Sequence, residues 1–166
     1  MSQDIEKYRT WVRQGQHRRS AGIFFMAKGI IEELGEEKGK ELIIEQVYAM
    51  GNSFGTDRKN ALQKQGLDNN VKRFFDPSSQ TDTVIAFAWK GETVSQSEEH
   101  IVKEFTYCPI AEGFKNYGKD GVKIGELFCE HIDNAVAQAY NSDIECIRES
   151  SLNLDGLCRL HFKLKD

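Results

Sequence analysis

The 166-residue sequence predicts an α+β domain. An N-terminal helical layer should be followed by a mostly antiparallel sheet of about four strands, with two helices inserted between strand pairs. Three observations lead there. Apolar residues recur at helical spacing through residue 75. After the turn cluster Asp76-Pro77-Ser78-Ser79, β-branched and aromatic residues gather into short runs. A chain of this length also makes one domain whose core needs no disulfide, so 1–76 and 80–166 are read as halves of a single domain spanning 1–166.

Taken in order, residues 3–20 read as a polar helix with a narrow stripe of Ile5, Tyr8 and Val12, with Ser2 as its N-cap. Residues 21–34 form a more apolar helix through Phe24, Ile30, Ile31 and Leu34, stopped by Gly35. Residues 37–55 form a third, with Leu42, Ile43, Val47 and Met50 on one face. Gly51 and Gly55, four apart, either permit close helix contact or mark fraying. Short helical stretches follow at Asn60–Lys64 and Val71–Phe75. Thr83–Trp89 has strand composition. Gly91 to Ser97 either continues that strand with a bulge or turns, and Ile101–Tyr107 is the next strand. Pro109 suits the first position of a helix running to Tyr117. Gly118 and Gly121 bracket a loop, and Ile124–Tyr140 is an amphipathic helix. Strands at Ile144–Ser150 and Leu157–Leu164 are joined by the turn Leu154-Asp155-Gly156.

Charge is uneven. Residues 1–80 carry 13 Lys and Arg against 11 Asp and Glu, and residues 81–166 carry 9 against 15. The acidic second half would repel a phosphate backbone, so nucleic acid is not expected as a partner. No apolar run approaches membrane-spanning length, and none follows Met1-Ser2-Gln3-Asp4 as a leader would require. A cytoplasmic protein without a membrane partner is expected. Its four cysteines then read as thiols, ligands or catalytic groups rather than disulfides.

The chemistry concentrates late in the chain. If Pro109 opens a helix, Cys108 is its N-cap, and the helix N-terminus should stabilise the thiolate and lower the thiol pKa. The plainer reading is a small buried residue at a strand end. Cys129 and Asp133, four apart, share a helix face that Glu126 can join. There they can hold a water or a metal, or Asp133 is simply exposed. His131 points elsewhere. Cys146 alternates with Ile144 and Arg148, and Cys158 opens the last strand. A zinc site built from Cys108, Cys129, Asp133 and Cys158 is compatible with the residue types, although no Cys-x-x-Cys occurs. A homodimer through the helical half, using Phe24, Phe25 and the Gly51/Gly55 face, fits the exposed composition. His17-Arg18-Arg19 is a solvated helix end or an anchor for a carboxylate.

Four elements carry a resemblance: Cys108-Pro109-Ile110-Ala111, Phe128-Cys129-Glu130-His131-Ile132-Asp133, Tyr140-Asn141-Ser142 and Leu154-Asp155-Gly156-Leu157-Cys158. In order and spacing they resemble the L-2-amino-thiazoline-4-carboxylic acid hydrolase family. Asp-Gly stands where that pattern has Gly-Asp. The resemblance implies a small-molecule hydrolase that opens 2-aminothiazoline-4-carboxylate to a carbamoyl-cysteine at a C–N or C–S bond. It implies no cofactor, Cys108, Cys129 and Asp133 as catalytic residues, and Arg159 and Asn141 as substrate contacts, with Arg148 a further cation. The layout is also similar to 4-vinyl-reductase-like ligand-binding domains. That likeness implies the alternative of a non-catalytic small-molecule-binding or sensor domain with structural zinc.

Overall fold

The structure is a computed structural model that describes residues 3–76 and 88–165. Two long helices, α1 (Gln3–Leu34) and α2 (Glu36–Gln63), form a hairpin about Gly35, and a 3-10 turn follows at Lys72–Phe75. The second half runs β1 (Lys90–Gln96), β2 (His100–Tyr107), α3 (Pro109–Lys115), α4 (Gly118–Tyr140), β3 (Ile144–Ser150), α5 (Leu152–Asp155) and β4 (Cys158–Leu164). The strands make one antiparallel sheet in the order β1-β2-β4-β3. The expected helical layer and antiparallel sheet are therefore present, with α3 and α4 inserted between the strand pairs.

Several boundaries differ from the sequence reading. The break expected after residue 20 is absent: α1 runs straight through, and the fully buried Ser20 donates to Gln16 O (3.1 Å) and Ile110 O (2.9 Å). One hydroxyl thus bonds its own helix and fastens α1 to α3. Gly91–Gln96 lies in a strand, with irregular pairing between Thr93 and Ser95. The strand expected at Thr83–Trp89 falls mostly outside the described residues, as does Ser2. Helix α4 begins at Gly118, six residues early. A Cβ on Gly121 would lie 2.1 Å from Phe114 O, so this glycine marks helix-to-helix approach and not a loop.

Close approach also explains Gly51 and Gly55. Their Cβ positions would lie 2.5 Å from Ala135 Cβ and 2.3 Å from Val136 O. The contact seats α2 against α4 in parallel, so Gly51 and Gly55 are consumed in packing inside the chain. Two apolar clusters result. One joins Phe24, Ile43, Val47, Phe114 and Phe128 across the helices. The other joins Leu62, Phe74, Ile101, Tyr140, Ile144 and Phe162 between α4 and the sheet. Ile132 packs against both and marks their seam. Among the described residues no helix is long and apolar enough to cross a membrane.

Candidate active site

The seam holds the chemistry. On α4, Cys129, Asp133, Val136 and Tyr140 follow the i, i+4, i+7, i+11 face turned toward the sheet. Strand alternation places Cys146 and Arg148 of β3 on the same side as buried Ile144, and Cys158 of β4 on the same side as Leu160 and Phe162. Cys129 packs on the helical cluster, and Cys146 and Cys158 pack on the sheet cluster. Cys108 caps α3 as its spacing predicts, with extended backbone (φ −129, ψ 119) and Pro109 in the first turn. Trp89 donates its indole N–H to Cys108 Sγ at 3.2 Å.

Asp133 is the electrostatic centre. Its charge reaches all four thiols and raises the pKa of each. Burial drives its own carboxyl from the usual 3.8 up to about 6, against the pull of Arg58 and then Arg148. Asp133 is half-buried, and among the described residues it has no hydrogen bond and no ion pair within 4 Å. The fully enclosed polar atoms that lack partners are Gln16 Oε1, His17 Nε2 and Asn153 Oδ1. The Asp133 oxygens are not among these, so they reach accessible space. The Asp133 carboxylate is thus desolvated yet not sealed from solvent.

The expected low-pKa thiolate is corrected by the structure. Burial raises the Cys108 thiol above its usual value, outweighing the amides of Ala111 and Ile110 and the indole of Trp89, which favour the charged form. The sulfur makes no capping hydrogen bond to close that gap. Burial raises Cys129 and Cys146 well above the usual range and takes Cys158 to about 12. All four are free, neutral thiols near neutral pH.

Glu126 joins the Cys129–Asp133 region, as the helix spacing allows, but as a support. It pairs with Arg148 (3.1 Å), accepts from Ser151 Oγ (2.5 Å) and accepts from Asn153 Nδ2 (2.8 Å). This clamp holds Arg148 on the inner face of the sheet, within electrostatic reach of Asp133, and fixes α5. Asn134 on the next α4 position accepts from Cys146 N (3.0 Å) and ties the edge strand to the helix. Arg58 of α2 lies within electrostatic reach of Asp133.

Other predicted residues lie elsewhere. Arg159 projects from the outer face of β4, where it pairs with Glu104 and, at 3.3 Å, with Glu149. Asn141 spends its amide on Asn69 O (3.0 Å) and its oxygen on Asp143 N (2.9 Å), a loop fastening at the end of α4. His131 lies 5.8 Å from the Tyr48 ring on the α2 side. Arg19 stacks on Phe54 at 4.9 Å. Among the described residues no three His, Cys, Asp or Glu side chains are grouped as a metal ion would require. Cys108, Cys129, Asp133 and Cys158 thus share an electric field without forming a coordination shell. Two concavities lie away from the thiols: about 260 Å³ beside Phe75, Thr93 and Lys103, and about 250 Å³ beside Gly91 and Glu104. Their surroundings hold none of the desolvated acid–thiol chemistry, so we place the candidate site by chemistry and not by volume.

Sequence reasoning missed Trp89 and Arg58. Trp89 left no usable signal. Arg58 did: it stands at i+7 from Gly51 and i+3 from Gly55, on the face turned to α4.

Comparison with known proteins gives three results. No curated protein matches the chain. Among solved structures, the chain is similar to a trafficking protein particle complex subunit 3 from Naegleria fowleri covalently bound to palmitic acid. The TM-score is 0.47 at 15% identity, over 92% of this chain and 96% of that one. Residues 16–162, most of the sequence, match a family model, and the chain accordingly belongs to the L-2-amino-thiazoline-4-carboxylic acid hydrolase family, named for hydrolysis of a thiazoline carboxylate.

Proposed function

We propose that this protein hydrolyses a cyclic amidine of the 2-aminothiazoline-4-carboxylate class, with Asp133 as the proton-transfer group. The observation that carries this reading is Asp133 itself: a carboxylate that makes no hydrogen bond among the described residues, is not sealed from solvent, and is pushed up to about 6 by burial. A base works best with a pKa near the working pH, and burial supplies that condition here.

The amidine-like C2 carbon is the electrophile. Water attacks C2 while Asp133 takes its proton, and the tetrahedral adduct collapses with rupture of the C2–N or the C2–S bond. The proton held by Asp133 passes to the departing nitrogen or sulfur. The product is S-carbamoyl-cysteine in the first case and N-carbamoyl-cysteine in the second. A colorimetric thiol titration tells them apart, because only C–S rupture releases a free thiol. Water is the favoured nucleophile because the four thiols are protonated near neutral pH. Cys108, held by the Trp89 indole, and Cys129 line the reacting volume as neutral groups.

The deciding experiment is turnover of 2-aminothiazoline-4-carboxylate by wild type and Asp133→Asn. We expect carbamoyl-cysteine from the first and a loss on the order of 10²–10⁴ in kcat from the second. Equal rates would refute the assignment of Asp133.

A further inference from the structure

Arg58 and Asp133 present an arrangement that folding does not account for. Both are desolvated, of opposite charge, and close enough for each to shift the other, yet no ion pair within 4 Å joins them. Among the described residues, Arg58 makes one long hydrogen bond, to Phe74 O at 3.5 Å. Its guanidinium lies 4.8 Å over the Phe74 ring, which fixes its plane and leaves most of its five donors unused. The Nε and Nη2 atoms, which make no hydrogen bond among the described residues, are not among the fully enclosed partnerless atoms, so they too reach accessible space. Arg148, the other arginine within reach of Asp133, is committed to Glu126. A desolvated guanidinium with most of its donors unpaired is costly to maintain, and so is a desolvated carboxylate with no hydrogen bond. Two such groups, one on each of two tightly packed helices and within electrostatic reach of each other, suit a ligand that bears both complementary charges.

We propose that Arg58 and Asp133 are the two poles of a zwitterion-binding site: the guanidinium receives the ligand carboxylate, and the Asp133 carboxylate receives a cationic amidine nitrogen. This rests on the hydrolase reading above and deepens it, because 2-aminothiazoline-4-carboxylate carries those two groups on one small ring. Asp133 has two oxygens, so one holds the exocyclic N–H while the other accepts the proton of water. The tight α2–α4 contact at Gly51 and Gly55 fixes the spacing of the poles, since each helix supplies one. Arg58 is thereby the residue that selects for the carboxylate, in place of Arg159.

The test is calorimetric titration with 2-aminothiazoline-4-carboxylate and with 2-aminothiazoline, which lacks the carboxylate. The proteins are wild type, Arg58→Met, Arg58→Lys and Asp133→Asn, each first checked by thermal melting. Wild type should bind the carboxylate form at least about tenfold more tightly, as a charge-assisted hydrogen bond warrants. Arg58→Met should erase that preference while binding 2-aminothiazoline as wild type does, and Arg58→Lys should keep part of it. Asp133→Asn should weaken both ligands alike. If Arg58→Met fails to fold, unchanged preference in Arg58→Lys together with unequal losses in Asp133→Asn overturns the proposal. So does an undiminished preference in a folded Arg58→Met, or wild type that binds neither ligand. Binding with this pattern but without turnover upholds the two poles and refutes the hydrolase reading.

Discussion

On the outer face of the sheet, His100, Glu104, Glu149, Arg159 and His161 pair with one another at a partly exposed surface. On the inner face, Arg148, Cys146 and Cys158 lie within electrostatic reach of the desolvated Asp133. The same strands supply both sets, by alternation alone. Outside, each charge has a near partner: His161 meets Glu149 at 2.7 Å and His100 at 3.1 Å, and Glu104 stands opposite Arg159 in the register. Exposed pairs of this kind are screened and contribute little. Inside, Asp133 has no hydrogen-bond or ion-pair partner among the described residues, and its carboxyl moves up to about 6. The difference teaches that proton affinity follows desolvation, not the count of neighbouring charges. The exposed Glu149 is lowered by its partners, chiefly His161, while Asp133, with two arginines in range, is raised.

The largest effect expected from breaking this contrast is at Asp133. Its carboxyl binds a proton more tightly in the folded state than in the unfolded chain. It therefore costs nothing below about pH 4, costs progressively more as pH rises to 6, and carries its full cost above that. From 3.8 to about 6 the cost amounts to at most about 3 kcal/mol. Asp133→Asn removes it. The variant should be inactive yet more resistant to urea at pH 7, with the advantage gone at pH 4. Denaturant midpoints at the two pH values check this, and a variant less stable at pH 7 would show that Asp133 is a structural residue.

Next comes Cys108. If water is the nucleophile, Cys108→Ser should lower kcat by about tenfold or less, well short of losing the general base. A loss equal to that of Asp133→Asn, with a covalent adduct on wild-type Cys108 seen by mass spectrometry, would make the sulfur the nucleophile.

These contrasts also show what the sequence could and could not say. The Cys108-Pro109 cap, the Cys129–Asp133 face and the hairpin of β3 and β4 follow from local rules of helix starts and side-chain period, and all three are present. The acidity of Cys108 was not legible, because a helix N-terminus is a local feature and burial is not. Arg159 looked like a substrate contact from its motif, yet one step of strand alternation puts it on the far side from Cys158. Gly118 and Gly121 read as a loop because glycine signals both turns and close approach, and only the position of Phe114 decides between them. The continuity of α1 depended on Ile110, ninety residues away, accepting the Ser20 hydroxyl.

A smaller effect is expected at Arg148. Activity of wild type should rise with pH through about 6 as Asp133 ionises. Arg148 lowers that carboxyl, but less than Arg58 does, so Arg148→Met should move the inflection of kcat/KM upward, and by less than Arg58→Met does. Glu126→Gln loosens the clamp on Arg148 and should shift it in the same direction. An inflection unmoved in Arg148→Met would detach the inner-face cation from the carboxylate.

The smallest effect is predicted on the outer face, and there a near-zero result is informative. Arg159 pairs with Glu104 and Glu149 at the partly exposed outer face, its charge stabilised first by the Glu104 hydrogen bond. Nothing links it to Asp133 or to the thiols. Arg159→Ala should leave kcat/KM within about twofold and the inflection near pH 6 in place, because exposed pairs couple weakly and are screened by salt. Its stability should fall by no more than a surface substitution does, about 0.5 kcal/mol. Raising the ionic strength should shrink even that difference, while the Asp133 inflection, set by burial, should hold its position. A tenfold loss of activity in Arg159→Ala would mean that the outer face takes part in substrate recognition after all. The separation of the sheet into a solvated scaffold side and a desolvated working side would then fail.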